Sequence, residues 1–331
     1  MKQLTYILLF SIFHFIGQSQ SVNYKIDVDD PEYSNLMIGV EAFYIDMSRL
    51  NFPIGAGITA QYVGKPFTVS LIVNRALFDF NKYTLNALPT LKPQNSFELG
   101  IGLPYSSRIK NKEVRVNLSS SSSGGYTTTT YLNVPARIKR VSSLRGGLYH
   151  YRSSYDNEPF GDIVIDSVNM VASVQDYQPG VNQWEAFLSN VTVNGIYAGL
   201  SLTSIKNVQI SSESDFRGIR SNSGFSMVYI DAIFAPFVNV GSYLHAPNPG
   251  DAWNLLTPGL YDLNDSYKKN RFGMRLGWTF NSGFAGWKNQ RIGLYSRMEG
   301  GIRPSIKGGG LYGLLTVGIG FNGKIGKGAT E

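Results

Sequence analysis

The strongest constraint on this chain is a period of two that recurs along most of its length. Between residues 54 and 62, Ile54, Ala56, Ile58, Ala60 and Tyr62 alternate with Gly55, Gly57, Thr59 and Gln61. Phe67, Val69, Leu71 and Val73 then oppose Thr68, Ser70 and Asn74, and Phe97, Leu99, Ile101 and Leu103 oppose Glu98, Gly100 and Gly102. The same pattern sets Ile196, Ala198, Leu200 and Leu202 against Tyr197, Gly199, Ser201 and Thr203. It sets Phe272, Met274, Leu276, Trp278 and Phe280 against Gly273, Arg275, Gly277 and Thr279, and Leu315, Val317, Ile319 and Phe321 against Thr316, Gly318 and Gly320. Successive side chains of an extended strand point to opposite faces. Each run is therefore a strand with one apolar face and one face of glycine and hydroxyls.

A soluble sandwich would show the same alternation, and length separates the two. Sandwich strands are usually about 5–6 residues long, whereas a tilted strand crossing a bilayer needs about 9–11. These runs are long, and many carry an aromatic near one end, where an amphipathic ring is most stable at headgroup depth. Charged residues make up 16% of the 331, against roughly 25% in an ordinary soluble domain. Apolar content stays at 43%, so Gly, Ser, Thr, Asn and Tyr fill the gap. The chain has no Cys, which excludes a disulfide scaffold, a thiolate metal site and a thiol nucleophile. The expectation is an all-β protein: a transmembrane antiparallel up-and-down β-barrel.

Alternating runs fall near residues 35–47, 53–63, 66–78, 96–106, 127–139, 143–152, 193–205, 225–236, 271–281, 290–302 and 311–322. A bacterial single-chain barrel has an even number of strands. A further strand at 21–29, or one at 112–118, makes about twelve, with ten or fourteen as the neighbouring counts. With the first choice the long connections around 154–192 and 237–270 lie on the extracellular side, together with the Ser/Gly stretch at 119–125. Connections at 140–142 and 282–289 then lie in the periplasm. That choice puts the short 64–65 outside and the longer 79–95 inside, and the second choice reverses the first strands.

Residues 1–20 read as a secretory signal peptide: Lys2, an apolar run from 4 to 16, then small Gly17 and Ser19 before a cut ahead of Gln20. No later stretch holds the ~18 consecutive apolar residues of a helical span. The expected division is a signal at 1–20, a barrel at 21–323 and a short C-terminal tail at 324–331. The Gln/Ser-rich end of the signal, the alternating Gly/aromatic strands and the closing run at 315–321, apolar at every second position and ending in Phe321, carry a resemblance. By these features the chain resembles outer-membrane β-barrel proteins of Bacteroidota type. The resemblance implies a place in the outer membrane of a Gram-negative cell, and assembly by the barrel-assembly machinery that reads such a terminal strand. It departs from the usual pattern in the tail that follows Phe321.

The polar faces hold the chemistry. Glu41, Glu98, Asp231 and Glu299 lie at inward parity with Arg137, Arg145, Arg275 and Arg297. Such a balanced set either closes a narrow barrel with ion pairs or lines a charged pore that screens small solutes. The expected function is small-solute passage, or a structural or accessory role in an envelope complex. An alternative is a surface interaction protein whose long loops present Tyr155, Tyr177, Trp184, Trp253 and Tyr261, since large aromatics dominate interface energetics. A hydrolase is disfavoured. Of the two histidines after the signal, His150 has Arg152 as its i+2 neighbour and the nearest following serine, Ser153, on the opposite face, and His245 sits in a loop with Asp251, Asp262 and Asp265.

No cofactor or metal is expected. The spacing Gly318-x-Gly320-x-x-Gly323 lacks the helix that a dinucleotide site needs. The acidic run Asp27, Asp29, Asp30 and Glu32 lacks a calcium-loop spacing. Net charge is +7, from scattered cations such as Lys110, Lys112, Arg137, Lys139, Arg140, Lys268, Lys269 and Arg271. These match outer-membrane lipid and lipopolysaccharide phosphates rather than nucleic acid. An envelope protein is the further partner expected.

Overall fold

A computed structural model of the chain describes residues 24–28, 34–48, 51–80, 93–156, 163–165, 170–172, 188–206, 208–212, 220–221, 224–241, 243–245, 259–261, 268–282, 292–306 and 309–325. Ten strands close into a barrel: β1 (Ser34–Ser48), β2 (Phe52–Val63), β3 (Thr68–Phe80), β4 (Asn95–Ser123), β5 (Tyr126–Asp156), β6 (Leu188–Lys206), β7 (Gly224–Val240), β8 (Phe272–Asn281), β9 (Ile292–Ile302) and β10 (Leu311–Ile325). Each pairs antiparallel with the next. β10 returns to β1 from Tyr312↔Ser48 to Ile325↔Ser34, so the ring has no free edge. The last strand runs two residues into the expected tail, and the signal at 1–20 lies outside the described residues.

Ten is the lowest of the counts the alternation allowed, and a long hairpin and a small separate sheet account for the difference from twelve. The runs at 96–106 and 112–118 are one strand, β4, and those at 127–139 and 143–152 are one strand, β5. A bulge marks the join: Pro104 pairs with Ser143 and Ser106 with Ser142, which leaves Tyr105 as the extra residue. The loss of apolar alternation there marks where the hairpin leaves the barrel wall, not where it ends. Beyond the wall β4 and β5 continue as a ladder to Ser123↔Tyr126. Gly124 (φ 59°) and Gly125 (φ 82°) make the tip, a two-residue turn with both positions left-handed. The 21–29 candidate forms the strand Tyr24–Val28 outside the ring. It pairs with Val208–Ser212, which pairs with Arg220–Ser221. Val208 and Ile210 of this small sheet pack on Val114, Val116, Val134 and Ala136 of the hairpin.

Both ends of the ring, the start of β1 and the end of β10, lie at one rim, here the terminal rim, with connection 64–67, the β4–β5 hairpin and connections 207–223 and 283–291. The distal rim takes 49–51, 81–94, 157–187, 241–271 and 303–310. The Ser/Gly stretch therefore falls opposite the long connections, not beside them. The short 64–67 and the longer 81–94 also exchange the sides first assigned to them.

Burial is inverted relative to a soluble protein. Leu200 and Leu202 on β6 are 48% and 51% exposed, while Ser201 and Thr203 between them are 8% and 6% exposed. Ile38, Ile58, Ile101, Leu144, Ile230, Leu276, Leu294 and Ile319 join the exposed apolar belt, and Gln61, Asn74, Glu98, Asp231, Arg275 and Thr316 are enclosed. This outer surface is that of a transmembrane barrel, whose wall satisfies its own backbone hydrogen bonds and offers hydrocarbon only side chains.

Candidate functional site

The lumen holds the chemistry, and glycine makes room for it. Tyr229 on β7 lies directly opposite Gly277 on β8, where a Cβ would run into the tyrosine ring. A Cβ at Gly100 would likewise strike the Tyr197 hydroxyl. Inward glycines thus let large rings lie flat across a narrow wall.

Between those rings sits Arg275. Its Nε donates to Asp231 Oδ2 at 2.8 Å, and its Nη1 reaches Glu98 Oε2 at 2.8 Å and Glu299 Oε2 at 3.4 Å. Arg145 meets Asp231 Oδ1 at 3.2 Å and lies 3.9 Å from the centre of the Tyr229 ring. Glu299 also accepts from the Tyr229 hydroxyl at 2.6 Å and from the Tyr312 hydroxyl. Arg297 Nη1 reaches Glu98 Oε1 at 3.5 Å. With the Asn74 amide turned to satisfy both neighbours, its nitrogen donates to Glu41 Oε2 at 2.8 Å and its oxygen accepts from Arg297 Nη2 at 3.0 Å. Glu98 is on β4 and Arg297 on β9, diametrically opposed in a ring of ten. The two ion pairs of Glu98 therefore cross the lumen, while Arg275 also joins Asp231 and Glu299 on the neighbouring strands along the wall. A lone charge here would be costly to desolvate; facing charges offset much of that cost.

Two further layers flank this network. At the distal rim Arg303 makes a two-pronged contact with Asp46, 2.8 Å to Oδ2 and 3.0 Å to Oδ1. Its guanidinium lies 3.5 Å from the Tyr312 ring centre and 4.1 Å from that of Tyr151. Gln94 donates to Asp46 Oδ2 and to the Tyr44 hydroxyl, both at 2.8 Å, and accepts from Tyr151 at 3.2 Å and Ser153 at 3.1 Å. Toward the terminal rim the filling turns apolar, with Val63, Ile205 and Phe225 packed together and Met227 against them. Asn281 bridges Asn322 at 2.9 Å and the sulfur of Met37.

Seven of the eight charged positions at inward parity meet in the lumen. Arg137 does not. Its parity is inward, but the β6 ladder stops at Ile138↔Lys206, so no wall stands opposite and Arg137 is exposed on the projecting hairpin. Asp46 and Arg303 are the lumen charges that alternation misses. β1 carries a register shift between Glu41 and Tyr44, which moves the inward set from 37, 39 and 41 to 44, 46 and 48. Arg303 lies just past the end of β9, where no strand pattern remains.

Among the loop aromatics, Tyr177, Trp184 and Trp253 lie outside the described residues. Tyr155 pairs by backbone with Ser189, and Tyr261 with Tyr243; their side chains lie outside the description. His150 Nδ1 contacts Asn194 Oδ1 at 2.7 Å, and among the described residues that amide, not a serine or a carboxylate, orients the ring. The side chain of His245 is not described. Gly318, Gly320 and Gly323 lie within β10 itself.

Fold and lumen together define a membrane-spanning β-barrel with a charge-paired interior. No family model and no curated protein sequence matches the chain. Among solved structures it is similar to the "CymD monoaromatic hydrocarbon channel", at 10% identity over 89% of both chains with a TM-score of 0.23. It is also similar to "OmpT (in-vitro folded), an outer membrane protein of Vibrio cholerae", at 7% identity over 90% of this chain and 100% of that one, TM-score 0.19. A third is the "TodX deltaS2S3 mutant monoaromatic hydrocarbon channel", at 9% identity over 89% and 91%, TM-score 0.22. Superpositions this low carry no argument about what this chain handles.

Proposed function

We propose that this protein is an outer-membrane β-barrel with a closed lumen, serving as a structural or accessory component of the cell envelope rather than as an open passage or an enzyme. The observation that carries this reading is the bridge from Glu98 through Arg275 and Arg297 to the far side of the ring, with Arg275 and Arg297 each 1% exposed. A solute-sized channel would leave those guanidiniums wet. In such barrels the longer loops are extracellular and the turns at the other end periplasmic, which favours a periplasmic terminal rim here. The closing apolar alternation that ends at Phe321 supports assembly by the barrel-assembly machinery as part of this proposal. The long distal connections would then be extracellular, and the hairpin would offer a surface to an envelope partner within.

Planar-bilayer recording tests the reading. Insertion without steady current is expected for the wild type. A stable open conductance in symmetric salt overturns the closed lumen and leaves passage of small solutes as the function. Lipid or peptide hydrolysis that disappears in His150→Ala or His245→Ala would overturn the non-enzymatic part.

A further inference from the structure

The net charge of +7 is not spread over the molecule. Residues 104–140 hold seven cations, Arg108, Lys110, Lys112, Arg115, Arg137, Lys139 and Arg140, against the single carboxylate Glu113, a net of +6. The register places four of them. Leu103 pairs with Leu144 on the outer, lipid-facing side, and both are more than half exposed. Directly opposed residues share a face. Past the bulge at Tyr105, itself 63% exposed, the same face continues through Ser106↔Ser142, Arg108↔Arg140, Lys110↔Ile138 and Lys112↔Ala136. It then becomes Val114 and Val134, which the small sheet covers. Arg108 lies three residues beyond Tyr105, about 10 Å along the strand, which is headgroup depth below the apolar belt.

Arg108 and Arg140 are like charges set directly opposite each other, an arrangement that destabilises a ladder unless an anion sits between them. In the lumen Arg145, Arg275, Arg297 and Arg303 each face a carboxylate. Here Arg108, Lys110, Lys112 and Arg140 are all exposed, and among the described residues no carboxylate pairs with them. We infer that this face binds the phosphate of an anionic phospholipid in the leaflet at the terminal rim, held by Arg108 and Arg140 with Lys110 and Lys112 beside it. The inference rests on the membrane placement proposed above but not on the closed lumen.

The test uses the full chain in neutral-detergent micelles, titrated with fluorescent phosphatidylglycerol and, separately, phosphatidylcholine. The wild type is expected to prefer phosphatidylglycerol by at least about 25-fold, and the double variant Arg108→Gln/Arg140→Gln to lose about that factor, since each cation at an anionic surface is worth about fivefold. Lys268→Gln, at the distal rim, is expected to keep it. Folding is checked by heat-modifiable mobility on gels. If the arginine variant fails that check, Lys110→Gln/Lys112→Gln takes its place, and an undiminished preference there overturns the proposal. Equal binding of both lipids by the wild type also overturns it. So do displacement by millimolar inorganic phosphate, which would mean a free-anion site, and tighter binding of lipopolysaccharide, which would mean the opposite leaflet. Bilayer conductance is read separately, so an open lumen would leave these results unchanged.

Discussion

Arg275→Gln removes the guanidinium on which three carboxylates converge. Breaking one member of a buried ion pair commonly costs about 3–5 kcal/mol, most of it from the charge left behind. Here each stranded carboxylate keeps something. Asp231 keeps Arg145 at 3.2 Å, Glu98 keeps Arg297 at 3.5 Å, and Glu299 keeps the Tyr229 hydroxyl at 2.6 Å. The cost should therefore fall at the low end, about 3 kcal/mol. It is measured as the shift in midpoint of urea unfolding in lipid vesicles, followed by tryptophan fluorescence, with the slope held constant. Adding Asp231→Asn removes one of the stranded charges, so the double variant should be less destabilised than the two single losses added together, by at least about 0.5 kcal/mol. A single-variant loss below about 1 kcal/mol would refute the reasoning. It would mean that Arg275 is solvated like a surface side chain and that the barrel interior is wet.

Gly277→Val places a branched side chain where the Tyr229 ring lies; overpacking should cost about 1–3 kcal/mol, and Gly277→Ala should cost less in the same unfolding assay. Arg303→Lys keeps the charge but loses the two-pronged contact to Asp46 and the stacking between Tyr151 and Tyr312. It should therefore behave nearly as badly as Arg303→Gln, and full rescue by lysine would show that charge alone matters there. Leu200→Arg, on the outer apolar belt, should destabilise the inserted barrel by about 2–4 kcal/mol, as an arginine does near the bilayer midplane; a neutral result would place β6 away from lipid. Val134→Asp puts a charge into the contact between hairpin and small sheet and should speed protease cleavage between residues 104 and 140 while barrel mobility on gels stays unchanged.

The wall of this barrel is written plainly in the chain, because a lipid-facing strand repeats one simple instruction over many residues. Glu98, Asp231, Arg275, Arg297 and Glu299 could be assigned inward from parity alone, since their strands run without slippage through the site. Parity says which way a residue points but not how high it stands. Arg137 has the inward sense of Arg145 yet lies above the last rung of β6. Asp46 is lost for a different reason: the register shift after Glu41 reverses the inward sense within one strand, and nothing in the local residue types announces it. The strand count suffers from the same blindness. Polar alternation past Tyr105 looks like a loop because water replaces lipid as the neighbour, while the backbone ladder runs on. Tyr229 and Tyr312 read as interfacial aromatics by type, but Gly277 and Glu299, which receive them, lie on other strands.

The two strands that leave the wall as a hairpin are also the ones that carry Glu98 and Arg145. Pro104 to Ser123 is long enough to extend about 65 Å at strand rise. With a continuous ladder behind it, a sideways push near Gly124 would act through a lever arm whose short end is the wall beside those two side chains. Tyr105, where the register slips by one, is the only step in that arm below Leu118. Mechanical stress at the tip would thus pass through the packing on the small sheet and then reach the contacts of Glu98 and Arg145 across the lumen.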